Sequence, residues 1–291
     1  MDQPHPLAPY FLQLIERTDT LLGRLEDWLP AAPPDIDWNA EAFRWRNLHG
    51  RGHLQAVRHP HKVRLDDLKN VELQKDKLLA NTRQFVSGRL ANNVLLTGAR
   101  GCGKSSLVKA VWNGFRIDGL RLIEVEKTHL VDLPDIVAQV AERPEKFLIF
   151  CDDLSFEEGD WGYQALKTAL DGSIAAPSAN VLIYATSNRR HLLPEYHTEN
   201  RETRYVDGEI HPGEATEEKI ALSERFGLWL SFYGFSQDEY LTACRQWCSN
   251  FGVATWDADS ERAALQWAQG RGARNGRVAW QFARDWAGQK A

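Results

Sequence analysis

The stretch GARGCGKSS, residues 98–106, has the residue types and spacing to cradle a phosphate. Gly98, Gly103, Lys104 and Ser105 satisfy the pattern G-x-x-x-x-G-K-[ST]. Glycines let successive backbone N–H groups curl round an anion with no Cβ in the way. A helix starting at the lysine turns its positive end toward the same point. On this reading Gly98, Ala99, Arg100, Gly101, Cys102, Gly103, Lys104, Ser105 and Ser106 form the cradle. Lys104 reaches the terminal phosphates of a nucleotide, and the Ser105 hydroxyl ligates Mg2+.

A second group of residues tests the first. FLIFCDD, residues 147–153, is an apolar run ending in two carboxylates. If the run is a strand of a parallel sheet, its carboxyl end faces the ligand. Asp152 then meets Ser105 across the site and holds Mg2+, usually through water. Asp153 positions or deprotonates an attacking water, with Glu157 as a substitute base. Asp153 is one methylene shorter than a glutamate, so its reach to that water is the weak point.

The elements needed to place these groups are legible around them. NVLLT, LRLIEV, KFLIFCDD and NVLIYATSN are short apolar runs separated by helix-like segments, LPDIVAQVAER and GYQALKTAL among them. That rhythm predicts a parallel sheet with helices on both faces. ALSERFGLWLSFYGF adds a helix end and a fifth strand, and from about Ser236 onward the pattern turns all-helical. Before the sheet, Leu14, Thr18, Leu22, Leu25 and Leu29 mark one face of a helix that the prolines of PAAPPDID terminate. The expected architecture is an N-terminal helical extension over 1–45, an α/β nucleotide-binding core over 46–235 and a C-terminal helical lid over 236–291.

Composition narrows the class. The chain has 291 residues, 43% hydrophobic and 26% charged, with a net charge of −5, so nothing global draws it to nucleic acid or an anionic membrane. No apolar run approaches the roughly 20 residues that cross a bilayer, and MDQPHPLAPYF lacks a positive n-region followed by an apolar h-region, so no targeting segment is expected from it. With four cysteines and no disulfide framework, a cytoplasmic location is expected. Cys244 and Cys248 sit one helical turn apart with no further ligands nearby, so they read as packing residues. Cys102, inside the phosphate loop, could serve a redox switch, but any small residue fits there. Between Ala42 and Leu65 there is no acid, while Arg44, Arg46, Arg51, Arg58, Lys62 and Arg64 are interleaved with Phe43, Trp45 and four histidines. That stretch, with Arg189, Arg190 and His191, either binds nucleic acid or lies over the core and pairs with its acids.

The order of phosphate loop, FLIFCDD and VLIYATSN resembles the AAA+ ATPases. In that superfamily a polar residue ends the strand after the paired acids and orients water near the γ-phosphate, a position that Asn188 matches. DDLKNVELQ resembles the superfamily's box ahead of the loop, which implies that Val71 faces the adenine. LSERFGLWL resembles the arginine-finger region, which makes Arg225 the finger acting on a neighbouring subunit, with Arg201 and Arg204 as rivals. GRGARNGRVAWQF resembles the sensor-2 motif, with Arg274 the first choice there and Arg277 the next. Taken together, GARGCGKSSLVKAVW, FCDDLSFEEGD, YATSNRRHLLPE, ERFGLWLSFY and GARNGRVAWQFA resemble one bacterial family of AAA+ ATPases catalogued as a domain of unknown function, over roughly residues 45 to 291. The resemblance implies ATP and Mg2+ as cofactors and Lys104, Asp153, Asn188 and Arg225 as catalytic residues. It also implies a homo-oligomer that remodels or loads a macromolecular client. A slow-hydrolysing nucleotide-gated adaptor is the alternative, which the Asp-Asp ending favours, and a P-loop kinase of a small molecule is a lesser one. The segment EKTHLVDLP lacks the aromatic–apolar–Gly loop that pulls polypeptide through a pore, which argues against a protein unfoldase.

Overall fold

Period-two alternation decides the first strands. Phe43 and Trp45 are each 1% exposed, while Arg44 and Arg46 between them face outward, so AFRWRNL is a strand with one buried face. The computed structural model describes residues 8–28, 35–48, 50–156, 160–171, 178–188, 192, 204–206, 209–211 and 222–290. In it β1 (Ala42–Leu48) pairs antiparallel with β2 (Arg51–Ala56) and parallel with β4 (Leu120–Val125). The expected boundary between residues 45 and 46 therefore falls inside a strand of the core sheet.

The other strands are β3 (Val94–Gly98), β5 (Lys146–Cys151), β6 (Val181–Ser187) and β9 (Leu228–Phe232). They complete a seven-stranded sheet ordered β2-β1-β4-β5-β6-β3-β9. Every pairing in it except β1 with β2 is parallel. A short antiparallel pair, β7 (Arg204–Val206) and β8 (Glu209–His211), stands apart. Two apolar layers cover the sheet. Phe43, Trp45, Ile123, Phe147 and Ile149 fill one, and Leu96, Leu107, Trp112, Leu122 and Phe150 fill the other.

Helices α2 (Glu72–Val86) and α3 (Lys104–Phe115) pack on the second layer, α4 (Leu133–Val140) and α5 (Trp161–Asp171) on the first. The one buried polar knot between α2 and β6 is satisfied: the Tyr184 hydroxyl meets Asn81 at 3.0 Å and Thr82 at 2.8 Å. Burial pushes that phenol up to about 12, so it stays protonated in the core.

The lid is three helices, α6 (Gln237–Asn250), α7 (Ala258–Arg271) and α8 (Gly276–Lys290). Ser236 and Glu239 form a capping box that starts α6. Tyr240, Cys244, Ala264, Ala279 and Phe282 make a core of the lid's own. Burial raises the Cys244 thiol to about 12 and the Cys248 thiol to about 11, which fits packing residues. At the other end of the chain, α1 (Ala8–Trp28) exposes every side chain from Tyr10 to Arg24. No helix among the described residues is long and apolar enough to cross a membrane.

Candidate functional site

Adjacency of β5, β6 and β3 gathers the chemistry at one edge of the sheet. Their parallel register sets Cys151 beside Ala185 and Leu96 beside Thr186. The residues that follow each strand, Asp152, Asn188 and the loop after Gly98, therefore emerge together at the carboxyl ends. Gly98 has φ +132°, and a Cβ there would lie 2.0 Å from the Phe232 carbonyl oxygen. Glycine is thus required for β9 to pack against the start of the loop. No side chain caps α3, whose N-cap is Gly103, so its first-turn N–H groups are open to an anion.

The loop borders a cavity of about 750 Å3. Arg100, Gly101, Cys102, Gly103, Lys104, Ser105 and Ser106 line it on one side, with Asp152, Asp153 and Asn188 beside them. Val71 and, from the lid, Trp247 and Trp280 line it as well. Gly98 and Ala99 serve differently from the expectation: they lie outside the lining and offer carbonyls to Lys104 Nζ at 2.7 and 2.8 Å. A third acceptor for that ammonium is Asn188 Oδ1 at 3.0 Å. Burial lowers the Lys104 pKa; Asp153 and Asp152 oppose that shift and Arg277 reinforces it.

Ser105 Oγ donates to Asp152 Oδ1 at 2.6 Å. This hydroxyl–carboxylate pair is a hard oxygen donor set of the kind Mg2+ takes, with waters completing the shell. Asn188 Nδ2 donates to Asp153 Oδ1, so Lys104, Asn188 and Asp153 form one chain of contacts. Cys102 is buried, and burial raises its thiol pKa against the pull of Lys104. Burial and this upward shift both disfavour the exposed thiolate on which a redox switch depends.

The two arginines weighed for the sensor-2 position are placed differently. Arg277, in the first turn of α8, lines the cavity; Arg274 lies outside the lining, and its carbonyl accepts the Phe235 N–H at 3.2 Å. The helix begins at Gly276, between the two: Arg274 lies in the loop before it and Arg277 in its first turn. The lid is tied to the phosphate loop at the same point. Asn275 Nδ2 donates to the Arg100 carbonyl at 3.2 Å, and the Arg277 N–H to the Gly101 carbonyl at 3.2 Å. A Cβ on Gly101 would meet Asn275 Oδ1 at 2.7 Å.

Arg225 is not in this cavity. Its Nε meets both oxygens of Asp171 at 2.6 Å, at the end of α5. Arg201, Glu157, Arg189, Arg190 and His191 lie outside the described residues, as does the side chain of Arg204. In the basic stretch, Arg44 pairs with Glu124 at 2.7 Å and Arg46 with Glu126 at 3.1 Å. With Phe43 and Trp45 in the core, neither aromatic is available to stack on a base. Thr186 and the two lid tryptophans were not singled out from the sequence.

The parallel sheet with the phosphate loop at its carboxyl edge, paired acids at the end of the strand one removed from it and a helical lid is the AAA+ P-loop ATPase fold. By fold the chain is similar to a point mutant of RuvB from Thermotoga maritima, with a TM-score of 0.51 and 18% identity over 77% of this chain and 65% of that one. It is similar also to the Orc1 protein of Aeropyrum pernix in complex with DNA, with a TM-score of 0.51 and 14% identity over 72% of this chain and 57% of that one. The chain thus spans less than two thirds of the length of either. The family described as "Protein of unknown function (DUF815)" matches residues 38–290, and the chain belongs to it. No curated protein matches the chain.

Proposed function

We propose that the protein binds ATP with Mg2+ in this cavity and hydrolyses it as a homo-oligomer, using the cycle to remodel or load a macromolecular client. The observation that carries the reading is the convergence of Lys104, Ser105, Asp152, Asp153 and Asn188 on the cavity wall in two hydrogen-bonded groups that Thr186 joins. The nucleotide supplies the phosphoanhydride bond that breaks. Lys104 neutralises the phosphate oxygens, Ser105 and Asp152 hold the metal's shell, and Asp153 accepts the proton of the attacking water while Asn188 orients it. Val71, Trp247 and Trp280 offer an apolar slot for the base, and Arg277 offers a guanidinium to the phosphates. Arg225 completes the site of a neighbouring subunit once it exchanges Asp171 for phosphate. Four free, buried cysteines fit a cytoplasmic protein.

A slow nucleotide-gated adaptor is the second reading. It is favoured by the short acid at position 153 and by its hydrogen bond to Asn188. Nucleic acid as the client rests on likeness to a protein solved with DNA, and the internal pairing of Arg44 and Arg46 weighs against the basic stretch as its contact. Phosphate release measured against protein concentration, with light scattering on the same samples, separates the readings. Specific activity that rises as an oligomer forms supports the shared-site ATPase. Turnover well below one per second at every concentration, with ATP bound, supports the adaptor. In Arg225→Ala, ATP affinity is expected to stay and turnover to be lost, by a factor of about 10³. Full turnover in that variant removes the finger assignment.

A further inference from the structure

The pair of acids ending β5 departs from an Asp-Glu ending, and the backbone there is unusual. Asp153 has φ +54°, a left-handed conformation shared among described non-glycine residues only with Asn70. Asp and Asn enter that region several-fold more readily than other side chains. What holds the chain in it comes from the next strand. Thr186, 1% exposed on β6, donates its hydroxyl to Asp152 Oδ1 at 2.6 Å. The Thr186 hydroxyl oxygen in turn accepts the Asp153 N–H at 2.9 Å. The Thr186 carbonyl accepts the Leu154 N–H at 2.7 Å. One residue thus grips three successive positions of the turn. Asp152 Oδ1 receives two hydroxyl donors, Thr186 and Ser105, which fixes the rotation of its carboxylate.

Resting on the nucleotide reading above, we infer that Thr186 is the positioning residue for both acids: its hydroxyl orients Asp152 toward the metal position and locks the left-handed turn that sets Asp153 against Asn188 at the cavity wall. The turn accounts for the residue type. A backbone held left-handed selects aspartate, and the shorter side chain is aimed by the turn rather than by its own length. Thr186 lies at the cavity wall and acts on the two acids through the two hydrogen bonds of its hydroxyl.

The test compares Thr186→Val, Thr186→Ser and Asp153→Glu in the full chain. Three readouts are taken: affinity for a fluorescent ATP analogue in EDTA, the Mg2+ concentration giving half-maximal effect on that affinity, and phosphate release. Metal-free affinity depends on Lys104 and the loop and is expected to match wild type in Thr186→Val. Its Mg2+ requirement is expected to rise, and its turnover to fall, each by roughly 10- to 100-fold, as for other partners that orient metal ligands. Thr186→Ser keeps the hydroxyl and is expected to recover most of both. Asp153→Glu lies at an exposed position and carries the test if Thr186→Val fails to fold; its turnover is expected to drop despite the longer reach. The inference is overturned if the valine and serine variants match in Mg2+ requirement and turnover, or if Asp153→Glu is as fast as wild type or faster. Failure of the wild-type chain to bind the analogue overturns the nucleotide reading itself, and the two failures are distinct.

Discussion

Lys104 spends its ammonium on two loop carbonyls and Asn188. These contacts hold a buried cation that would otherwise lose its hydration without compensation. Anionic phosphate oxygens are stronger acceptors than neutral carbonyls, so binding is expected to draw Nζ from the carbonyls and free the Asn188 side chain to act on water. Arg277 shares the cavity, whereas the backbone of Arg274 serves the turn before α8. A charge-assisted contact contributes about 1.5–3 kcal/mol. Arg277→Ala is therefore expected to weaken ATP binding by roughly 10- to 100-fold, and Arg274→Ala to leave it near wild type, both read by calorimetric titration. Equal losses in the two variants would reinstate Arg274.

Among the elements, β3 and the loop after it depend on the bare backbone at residue 98. Gly98→Ala places a Cβ on the Phe232 carbonyl and strains φ +132°. It is expected to destabilise the fold by at least about 2 kcal/mol, measured by urea unfolding. A variant as stable as wild type would mean that β9 shifts freely. Most of the sheet was legible from the sequence because its strands are buried on both faces and read as unbroken apolar runs, LRLIEV and FLIFC being the plainest. The β1–β2 hairpin was not. Its exposed face is basic, and the charge of Arg44 and Arg46 masked the alternation of Phe43 and Trp45. The phosphate loop and the paired acids announced themselves by spacing. Thr186 did not, because its role depends on β6 lying between β5 and β3, which no local pattern encodes. Arg274 and Arg277 were separable only once the start of α8 was known.

At the scale of the molecule, the lid and the core meet at the site. Asn275 and Arg277 bond the loop carbonyls, Asn70 Nδ2 bonds the Glu239 carbonyl at 2.8 Å, and Asn250 Nδ2 bonds Asp67 at 3.0 Å. These bonds join the phosphate loop to α8 and to the lid core behind it. The Arg225–Asp171 pair lies away from the cavity of its own chain, as an arginine serving a neighbour must. In the proposed reading this one cavity is the place of both nucleotide binding and turnover. The most direct measurement is a calorimetric titration of the full chain with ATP, with and without Mg2+, in wild type and Lys104→Ala. The account predicts a saturable site of one nucleotide per chain, tightened by Mg2+ and abolished in the variant. No binding in wild type, or binding unchanged by Lys104→Ala, would contradict it.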